Sequence, residues 1–516
     1  MANQQLFASS RGRMTPPANA INEAGGRAYQ RQPEAALALY AATGCLNGTY
    51  YSDAETQLAQ VLAMCDQVAP AFIARTAIYA RQRAYMKDMP ALLLAHLATR
   101  DGELLAKVFA RVIDNGRMLR NFVQMLRSGV VGRKSLGTRP KRLVQQWLDA
   151  ASAEQIVAAA VGEKPSLADV IRMVHPHPQD MEREALYAWL IDKPHNATAL
   201  PVLVQQYEAF KRAPGHEVPE LSFQYLTALP LTAVHWKSIA ARASWQATRM
   251  NLNTFARKGV FDDAAMVSML ANRLRDPQAI RKARVFPYQL MTAYRAAAKM
   301  MPEPIAEALQ DAMEIATSAV PAINGEVVVA MDVSGSMQSP VTGFRPGATS
   351  VVTCVEVAAL IAACIKRANA KARVIPFAET VRELRLNARD SVMTQAQQLA
   401  RMVGGGTCVS APLALLNCER AKVDLLVLVS DNQSWVDTRH GKSSETMRQW
   451  AELKLRNPQA KMVCIDLQPD ASSQTVESAD VLHVGGFSDA VFELLADVAQ
   501  GSDTRRWIER IEAIEL

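Results

Sequence analysis

The sequence lacks an apolar segment long enough to cross a membrane, and it lacks the cysteine pattern of a disulfide framework. Its longest uninterrupted apolar run is nine residues, from Val357 to Ile365, whereas a membrane-spanning helix needs about 20. Residues 1–14 hold no apolar stretch of the kind that secretory signals carry, so we expect no such signal. The seven cysteines are scattered, and none forms a CxxC pair. Reduced, mostly buried thiols have this distribution, which predicts a cytoplasmic protein.

The composition excludes wholesale disorder. Hydrophobic residues make up 49% of the chain and charged residues 21%, which is close to the average for soluble proteins. The 516 residues are enough for about three domains, or for two of which one is large.

Basic residues are concentrated in the first part of the chain. Residues 1–325 carry 37 Lys and Arg against 27 Asp and Glu, whereas residues 326–516 carry 20 against 23. Two blocks hold most of the excess: residues 111–142 have nine basic side chains and one acidic, Asp114, and residues 237–299 have twelve and three. Such blocks indicate a polyanionic partner, although ordinary solvated helix faces would give the same composition.

The apolar period is helical up to about residue 320. Segments such as 103–113, 117–126 and 263–274 place apolar residues three and four positions apart. Prolines or glycines separate most of these segments, so we expect a dozen or more short helices and no strand among them. About 300 residues of short helices fit a solenoid of stacked helix pairs better than a single four-helix bundle.

After residue 325 the pattern becomes that of alternating strands and helices. We predict buried strands at 326–332, 372–378, 423–431, 461–467 and 479–486, with helices at 350–368, 391–402, 443–456 and 488–499. This alternation predicts an α/β doubly wound sheet covered by helices on both faces. The domains are therefore expected at 1–322 and 323–516.

Oxygen-bearing side chains follow three segments of this second domain. Asp332, Ser334 and Ser336 come directly after the first strand, Thr407 follows three glycines, and Asp431 ends the third strand. In open α/β sheets, ligands bind beyond the carboxyl ends of the strands. Five hard oxygen ligands suit Mg²⁺ or another divalent cation and leave one position for water or an anion of a partner. The alternative is that the serines are loop hydroxyls and Asp332 caps a helix.

The DxSxS, GGGT and strand-terminal Asp motifs together resemble the metal-ion-dependent adhesion site (MIDAS) of von Willebrand factor A domains. The whole chain resembles the Ro ribonucleoprotein (TROVE-domain) family, in a compact bacterial form. Further segments carry this resemblance, namely Gly48–Tyr51, Gly132–Lys134 with Arg139–Arg142, the segment 283–288, and Asp431-Asn432. One departure is Val131, which stands where the family pattern has a tryptophan.

The resemblance implies an N-terminal ring of HEAT-like helical repeats (TROVE) followed by the von Willebrand factor A domain, together a monomer. It implies that small noncoding Y RNA binds the outer basic surface and that single-stranded 3′ ends of misfolded or damaged RNA enter a central hole. It also implies a 3′-to-5′ exoribonuclease tethered through Y RNA, no catalysis by the protein itself, and a role in RNA quality control.

On this resemblance the basic residues of both blocks become candidates for phosphate contacts. His175 matches a histidine near the RNA surface of the family, although it could equally be a surface histidine that ends a helix. The candidate RNA-binding residues are Arg117, Arg120, Arg127, Arg133, Lys134, Arg139, Lys141, Arg142, His175, Arg249, Arg257, Lys258, Arg281, Lys282 and Arg284.

Two other functions stay open from the sequence. The second domain could capture a partner's carboxylate through Mg²⁺ with no RNA involved, which would make the basic blocks incidental. A nuclease that uses the same Mg²⁺ is the third possibility.

Overall fold

The computed structural model describes residues 15–22, 25–162, 165–215, 218–221, 223–227, 229–283, 285, 287–297, 301–317, 320, 322–344, 352–387, 389–431, 443–500 and 506–516. Contacts group the chain into two compact units. The helical unit contains 65–285, 289–315 and 514–516. The sheet unit contains 286–288 and 316–513, together with the described residues up to Met64.

The first part of the chain is mostly helical, as its apolar period predicts. Its helices are α1 (Pro33–Thr43), α2 (Ala54–Gln67), α3 (Pro70–Gln82), α4 (Asp88–Arg100), α5 (Gly102–Val112), α6 (Gly116–Ser128), α7 (Thr138–Ala150), α8 (Ala153–Ala160), α9 (Leu167–Val174), α10 (Met181–Leu190), α11 (Val202–Arg212), α12 (Phe223–Leu226), α13 (Ala233–Arg242), α14 (Trp245–Arg257), α15 (Ala264–Leu274), α16 (Pro277–Ala283), α17 (Pro287–Ala297) and α18 (Glu303–Thr317). Within the described residues, no helix has the length and apolarity needed to span a bilayer.

Polar caps fix where several of these helices begin. Asp101 accepts hydrogen bonds from the backbone N–H groups of Glu103 and Leu104 at the start of α5. Asn115 does the same for Met118 at the start of α6, and Ser152 forms a reciprocal capping box with Gln155 at the start of α8. Such caps satisfy N–H groups that the first turn of a helix leaves without a partner.

The helical unit stacks its helices in a regular way. Helices α3 to α8 each pack against the next helix but one, so that α3 contacts α5, α4 contacts α6, and the series continues to α8 and α10. The same pairing recurs for α13 with α15 and α14 with α16. A solenoid of helix pairs has these nearest-neighbour contacts, which agrees with the predicted helical-repeat architecture.

The second part of the chain forms a five-stranded parallel sheet. Its strands are β3 (Val327–Asp332), β4 (Arg373–Phe377), β5 (Leu425–Ser430), β6 (Lys461–Asp466) and β8 (Val481–Gly485), in the order β4-β3-β5-β6-β8. They match the five predicted strands. Helices α19 (Cys354–Ala368), α20 (Val392–Ala400), α21 (Ala411–Cys418), α22 (Glu445–Arg456), α23 (Asp489–Gln500) and α24 (Trp507–Glu512) accompany them.

The strand order places a topological switch point beside β3. The chain runs from β3 to β4 on one side and then crosses to β5 on the other side of β3. In doubly wound sheets, ligands bind at the carboxyl ends of the strands where the order reverses in this way. The carboxyl ends of β3 and β5 are therefore the expected position of a site.

The expectation that no strand lies in the first 320 residues is wrong. Two short strands, β1 (Ala20–Ile21) and β2 (Arg27–Gln30), form a small antiparallel sheet with β7 (Ser472–Ser473). Strand β2 also explains why the N-terminal residues group with the C-terminal sheet. Strands of two to four residues are too short to show an apolar period, so no local pattern predicts them.

Candidate metal centre and basic surface

The carboxyl end of β3 buries the first predicted metal ligand. Asp332 has no exposed surface, and Ser334 and Ser336 in the following loop are also buried. The Ser334 backbone N–H donates to Asp332 Oδ1 over 2.8 Å. The hydroxyl oxygens of Ser334 and Ser336 lie 3.3 Å apart. The loop therefore holds Ser334 beside the Asp332 carboxylate and the Ser336 hydroxyl beside that of Ser334.

The glycine-rich loop is joined to this segment by two backbone hydrogen bonds. The Gly404 N–H donates to the Val333 carbonyl over 2.8 Å, and the Gly335 N–H donates to the Gly405 carbonyl over 2.9 Å. Gly404 and Gly405 have φ values of +139° and +86°, in the region that favours glycine. The loop carries Thr407, whose side chain is buried.

Strand β5 supplies the third part of the site. Its last residue, Ser430, donates a hydrogen bond from its hydroxyl to Asp332 Oδ2 over 2.6 Å. Asp431 follows and is buried as well, whereas Asn432 lies outside the described residues. The sequence interpretation missed Ser430, because its role depends on β3 and β5 being neighbours in the sheet.

Burial controls the electrostatics of this site. It raises the pKa of Asp332 to about 6, although hydrogen bonds from Ser430 and Ser334 lower it. The Cys354 thiol, at the start of α19, has a pKa well above its usual value because of burial and of the nearby negative charges of Asp431 and Asp332. Asp332 and Asp431 therefore both lie close enough to Cys354 for their negative charges to raise the pKa of its thiol.

The chemistry of these donors fits a hard divalent cation. Carboxylate and hydroxyl oxygens are the ligands that Mg²⁺ prefers. These oxygen donors differ from the cysteine and histidine ligands typical of structural zinc sites. Among the described residues, no group of three or more His, Cys, Asp or Glu side chains could hold a metal.

The candidate residues of the first basic block lie on α6, on α7 and on the loop between them. Arg117, Arg127, Lys134, Arg139 and Arg142 are exposed. Three other candidates are more enclosed. Arg133 and Lys141 are half-buried. Arg120 is only 9% exposed and donates from Nη2 to the Val161 carbonyl over 2.9 Å.

The described candidates of the second basic block lie on α14 and α16 or directly after α14. Arg257, Lys258, Arg281 and Lys282 are exposed, and Arg249 is half-buried. Arg249 donates from Nη1 to the Gln289 carbonyl over 3.0 Å, so it also ties two helices together. Arg284 lies outside the described residues.

His175 ends α9 and is exposed. Its backbone adopts the left-handed conformation, with φ at +47°, and its carbonyl accepts a hydrogen bond from Gln145 Nε2 over 3.1 Å. The sequence left two interpretations of His175, a residue near the RNA surface and a surface residue that ends a helix. Both require an exposed side chain, and His175 is exposed.

Known proteins resemble this chain in sequence. Residues 326–499 match the family described as the Ro60 vWA domain. The RNA-binding protein RO60 of Deinococcus radiodurans is 26% identical over 93% of this chain and 95% of its own length. The RNA-binding protein RO60 of Caenorhabditis elegans is 24% identical over 46% of this chain and 38% of its own length.

A solved structure has the same fold. The crystal structure of the Deinococcus radiodurans RO (RSR) protein matches with a TM-score of 0.61 at 20% identity, covering 92% of this chain and all of that one. The predicted resemblance to the Ro ribonucleoprotein family is confirmed. The predicted fold is confirmed in its main features, a mostly helical N-terminal region and a C-terminal von Willebrand factor A domain built on a parallel sheet.

Proposed function

We propose that this protein is an RNA-binding scaffold of the Ro type that acts in RNA quality control. Its helical region binds small noncoding Y RNA on an outer basic surface. Single-stranded 3′ ends of misfolded or damaged RNA enter a central hole of the helical ring. A 3′-to-5′ exoribonuclease, tethered through Y RNA, carries out degradation, and the protein itself catalyses no step. The free state of its seven cysteines is consistent with a cytoplasmic location.

The observation that carries the proposal is the uncompensated positive charge on α6 and α7. The single acid of residues 111–142, Asp114, already forms an ion pair with Arg81, with oxygen–nitrogen distances of 2.7 to 2.9 Å. In the described part of the chain, no ion pair involves the exposed residues of this block, which are Arg117, Arg127, Lys134, Arg139 and Arg142. Their charges can therefore act on phosphates of RNA.

The relatives support the same partner. Two proteins that match this chain are named RNA-binding proteins, and the Deinococcus radiodurans protein matches it across nearly its full length. Phosphate contacts from Arg and Lys give affinity that does not depend on base sequence, so the basic block alone does not select a particular RNA.

Gel shifts with a small structured RNA test this function. The triple variant Arg139→Ala/Lys141→Ala/Arg142→Ala removes three cations from α7 and should weaken binding at least about tenfold, because phosphate contacts are lost. The slope of log affinity against log salt concentration should also become shallower, by about one for each lost contact. The control Lys371→Ala/Arg385→Ala/Arg389→Ala removes three exposed cations from the sheet unit and should bind like the parent. If both variants lost RNA affinity equally, the claim that the basic residues of α7 form the RNA-binding surface would be refuted.

We further infer that the sheet unit holds Mg²⁺ or another divalent cation. Asp332, Ser334, Ser336, Thr407 and Asp431 would be its ligands, with Ser430 orienting Asp332 through the 2.6 Å hydrogen bond. A bound divalent cation supplies positive charge that offsets two buried carboxylates and can hold an anionic oxygen of water or of a partner.

The same oxygen donors favour one alternative, a protein-interaction module without RNA binding. In that case Asp332→Ala would abolish capture of a protein partner, and the purified protein would not shift RNA at any salt concentration. A third possibility, a Mg²⁺-dependent nuclease, requires cleavage of labelled RNA by the purified protein that is lost in Asp431→Ala. The scaffold proposal predicts intact RNA in that assay.

A further inference from the structure

A polar cleft of about 720 Å³ opens in the helical unit beside the first turns of α6. Its volume lies in the range of pockets that bind small molecules or single nucleotides. The side chains on which the inference depends come from α6, α7 and α8. They are Arg117, Arg120, Asn121, Gln124, Trp147 and Gln155.

One wall of the cleft carries two guanidinium groups. Arg117 and Arg120 are three residues apart on α6, so they occupy the same helix face. Burial lowers the pKa of Arg120, and the like charge of Arg117 lowers it further. An anion between the two groups would relieve this repulsion.

The position of Arg120 is fixed by its neighbours. Its Nη2 donates to the Val161 carbonyl over 2.9 Å. A Cβ atom at Gly162 would lie 2.6 Å from the same nitrogen, so the glycine leaves room for the guanidinium. Because the group is held before any ligand arrives, little side-chain entropy is lost when an anion binds.

The acid that also lines the cleft does not cancel this charge. Asp114 is engaged by Arg81, which approaches both of its carboxylate oxygens within 2.9 Å. The net charge near Arg117 and Arg120 therefore stays positive, which favours an anionic ligand.

The same cleft also offers an aromatic surface and amides. Trp147 of α7 is half-buried, and an indole ring of this kind is a platform on which any base can stack. The Gln124 amide can exchange hydrogen bonds with a base edge. Asn121 Nδ2 already donates to Asp88 over 2.8 Å and Gln155 Oε1 accepts from the Ser152 N–H over 2.9 Å, so these two side chains offer a base their other amide atom. Cations for phosphate and an indole for a base thus meet in one cleft.

We propose that this cleft binds one nucleotide of single-stranded RNA, with its phosphate at Arg117 and Arg120 and its base stacked on Trp147. This inference rests on the proposed RNA-binding function and assigns a nucleotide subsite to it. A free nucleoside monophosphate shares this chemistry, so the test has to separate the two sources.

Fluorescence anisotropy of a labelled single-stranded U8 RNA with the full-length protein tests the subsite. Trp147→Ala should weaken U8 binding by about 5-fold to about 150-fold, the range for loss of one base–aromatic stack. Trp147→Phe, which keeps an aromatic face, should retain most of the affinity. Arg117→Ala should weaken binding, whereas Arg100→Ala, which removes an arginine paired with Asp66, should not.

Tryptophan fluorescence gives a second readout that does not depend on the stability of Trp147→Ala. U8 should quench part of the parent's emission in a saturable way, and this part should be missing from Trp147→Phe. Quenching of equal size in both proteins would overturn the subsite. Uridine monophosphate should bind far more weakly than U8, and equal affinity would overturn the assignment to an RNA chain.

The test also separates this inference from the proposed function. If the structured RNA is bound but U8 is not, or if Trp147→Ala and Trp147→Phe bind U8 like the parent, the subsite is wrong and RNA binding stands. If the protein binds neither RNA, both proposals fail.

Discussion

Asp332 is the residue on which the proposed metal centre depends most, because it joins two parts of the site. It accepts one hydrogen bond from the Ser334 N–H in its own loop and another from the Ser430 hydroxyl at the end of β5. The spacing of Asp332, Ser334 and Ser336 could be interpreted from the sequence alone. The contribution of Ser430 could not, because it depends on which strand lies beside β3.

Replacing Asp332 by Asn should remove the stabilisation by Mg²⁺. A ligand that binds only the folded state stabilises it by about 2.7 kcal/mol at a hundredfold excess over its Kd. Thermal unfolding of the parent should therefore move to higher temperature when Mg²⁺ is added, and that of Asp332→Asn should not.

Glu383→Gln is the control for this change, since Glu383 is an exposed acid of the same unit. It should respond to Mg²⁺ like the parent. A Tm that Mg²⁺ leaves unchanged in the parent, or raises equally in Asp332→Asn, would contradict the proposed ligand set.

At the scale of elements, the small sheet formed by β2 and β7 is tied to the large sheet by a buried polar network. Arg31, which follows β2, donates from Nη2 to Asp466 Oδ2 over 2.7 Å. Its Nη1 lies 2.8 Å from His483 Nδ1. An arginine can only donate, so Nδ1 is the acceptor and His483 is neutral. Burial also lowers the pKa of His483 well below its usual value.

Replacing Arg31 by Met should destabilise the sheet unit by about 3–5 kcal/mol, because Asp466 would keep a buried charge without its ion-pair partner. Urea denaturation monitored by circular dichroism measures this loss. Arg27→Met changes an exposed arginine on β2 itself and should cost no more than about 0.5 kcal/mol. Similar losses in the two variants would show that the buried pair is not what secures the N-terminal segment.

The helical unit also contains a contact that only glycine permits. Gly116, at the start of α6, packs so closely on α8 that an added Cβ would lie 2.0 Å from Ala159 Cβ. The sequence shows the glycine but not the neighbour that requires it.

Gly116→Ala should therefore destabilise the helical unit by about 1–3 kcal/mol, the usual cost of overpacking a well-packed contact. Gly215→Ala is a suitable control, since an added Cβ there would meet no atom within 4 Å. Thermal unfolding measures both variants. A Gly116→Ala protein as stable as Gly215→Ala would mean that α6 and α8 can move apart at little cost.

At the scale of the whole molecule, the change of apolar period predicted the fold class well. Helix α18 ends at Thr317 and β3 begins at Val327, which brackets the predicted change of pattern. The grouping of the residues up to Met64 with the C-terminal sheet could not be predicted, because pairs such as Tyr29 and Ser473 are more than 400 positions apart. No local pattern reports a contact of that separation.

The predicted RNA-binding residues show a similar limit. Charge counts located the basic blocks, but exposure is a property of the folded chain. Arg139 and Arg142 are exposed, whereas Arg120 is buried against Val161. Charge counts therefore locate the basic blocks but do not show which of their side chains are exposed.

The salt dependence of RNA binding tests the central claim most directly. The affinity of the full-length protein for a small structured RNA would be measured in gel shifts from about 50 to about 200 mM KCl. With about six phosphate contacts, affinity should fall about a thousandfold over this range. An affinity that does not change with salt, or no binding at about 50 mM KCl, would contradict the claim that the basic helical region binds RNA.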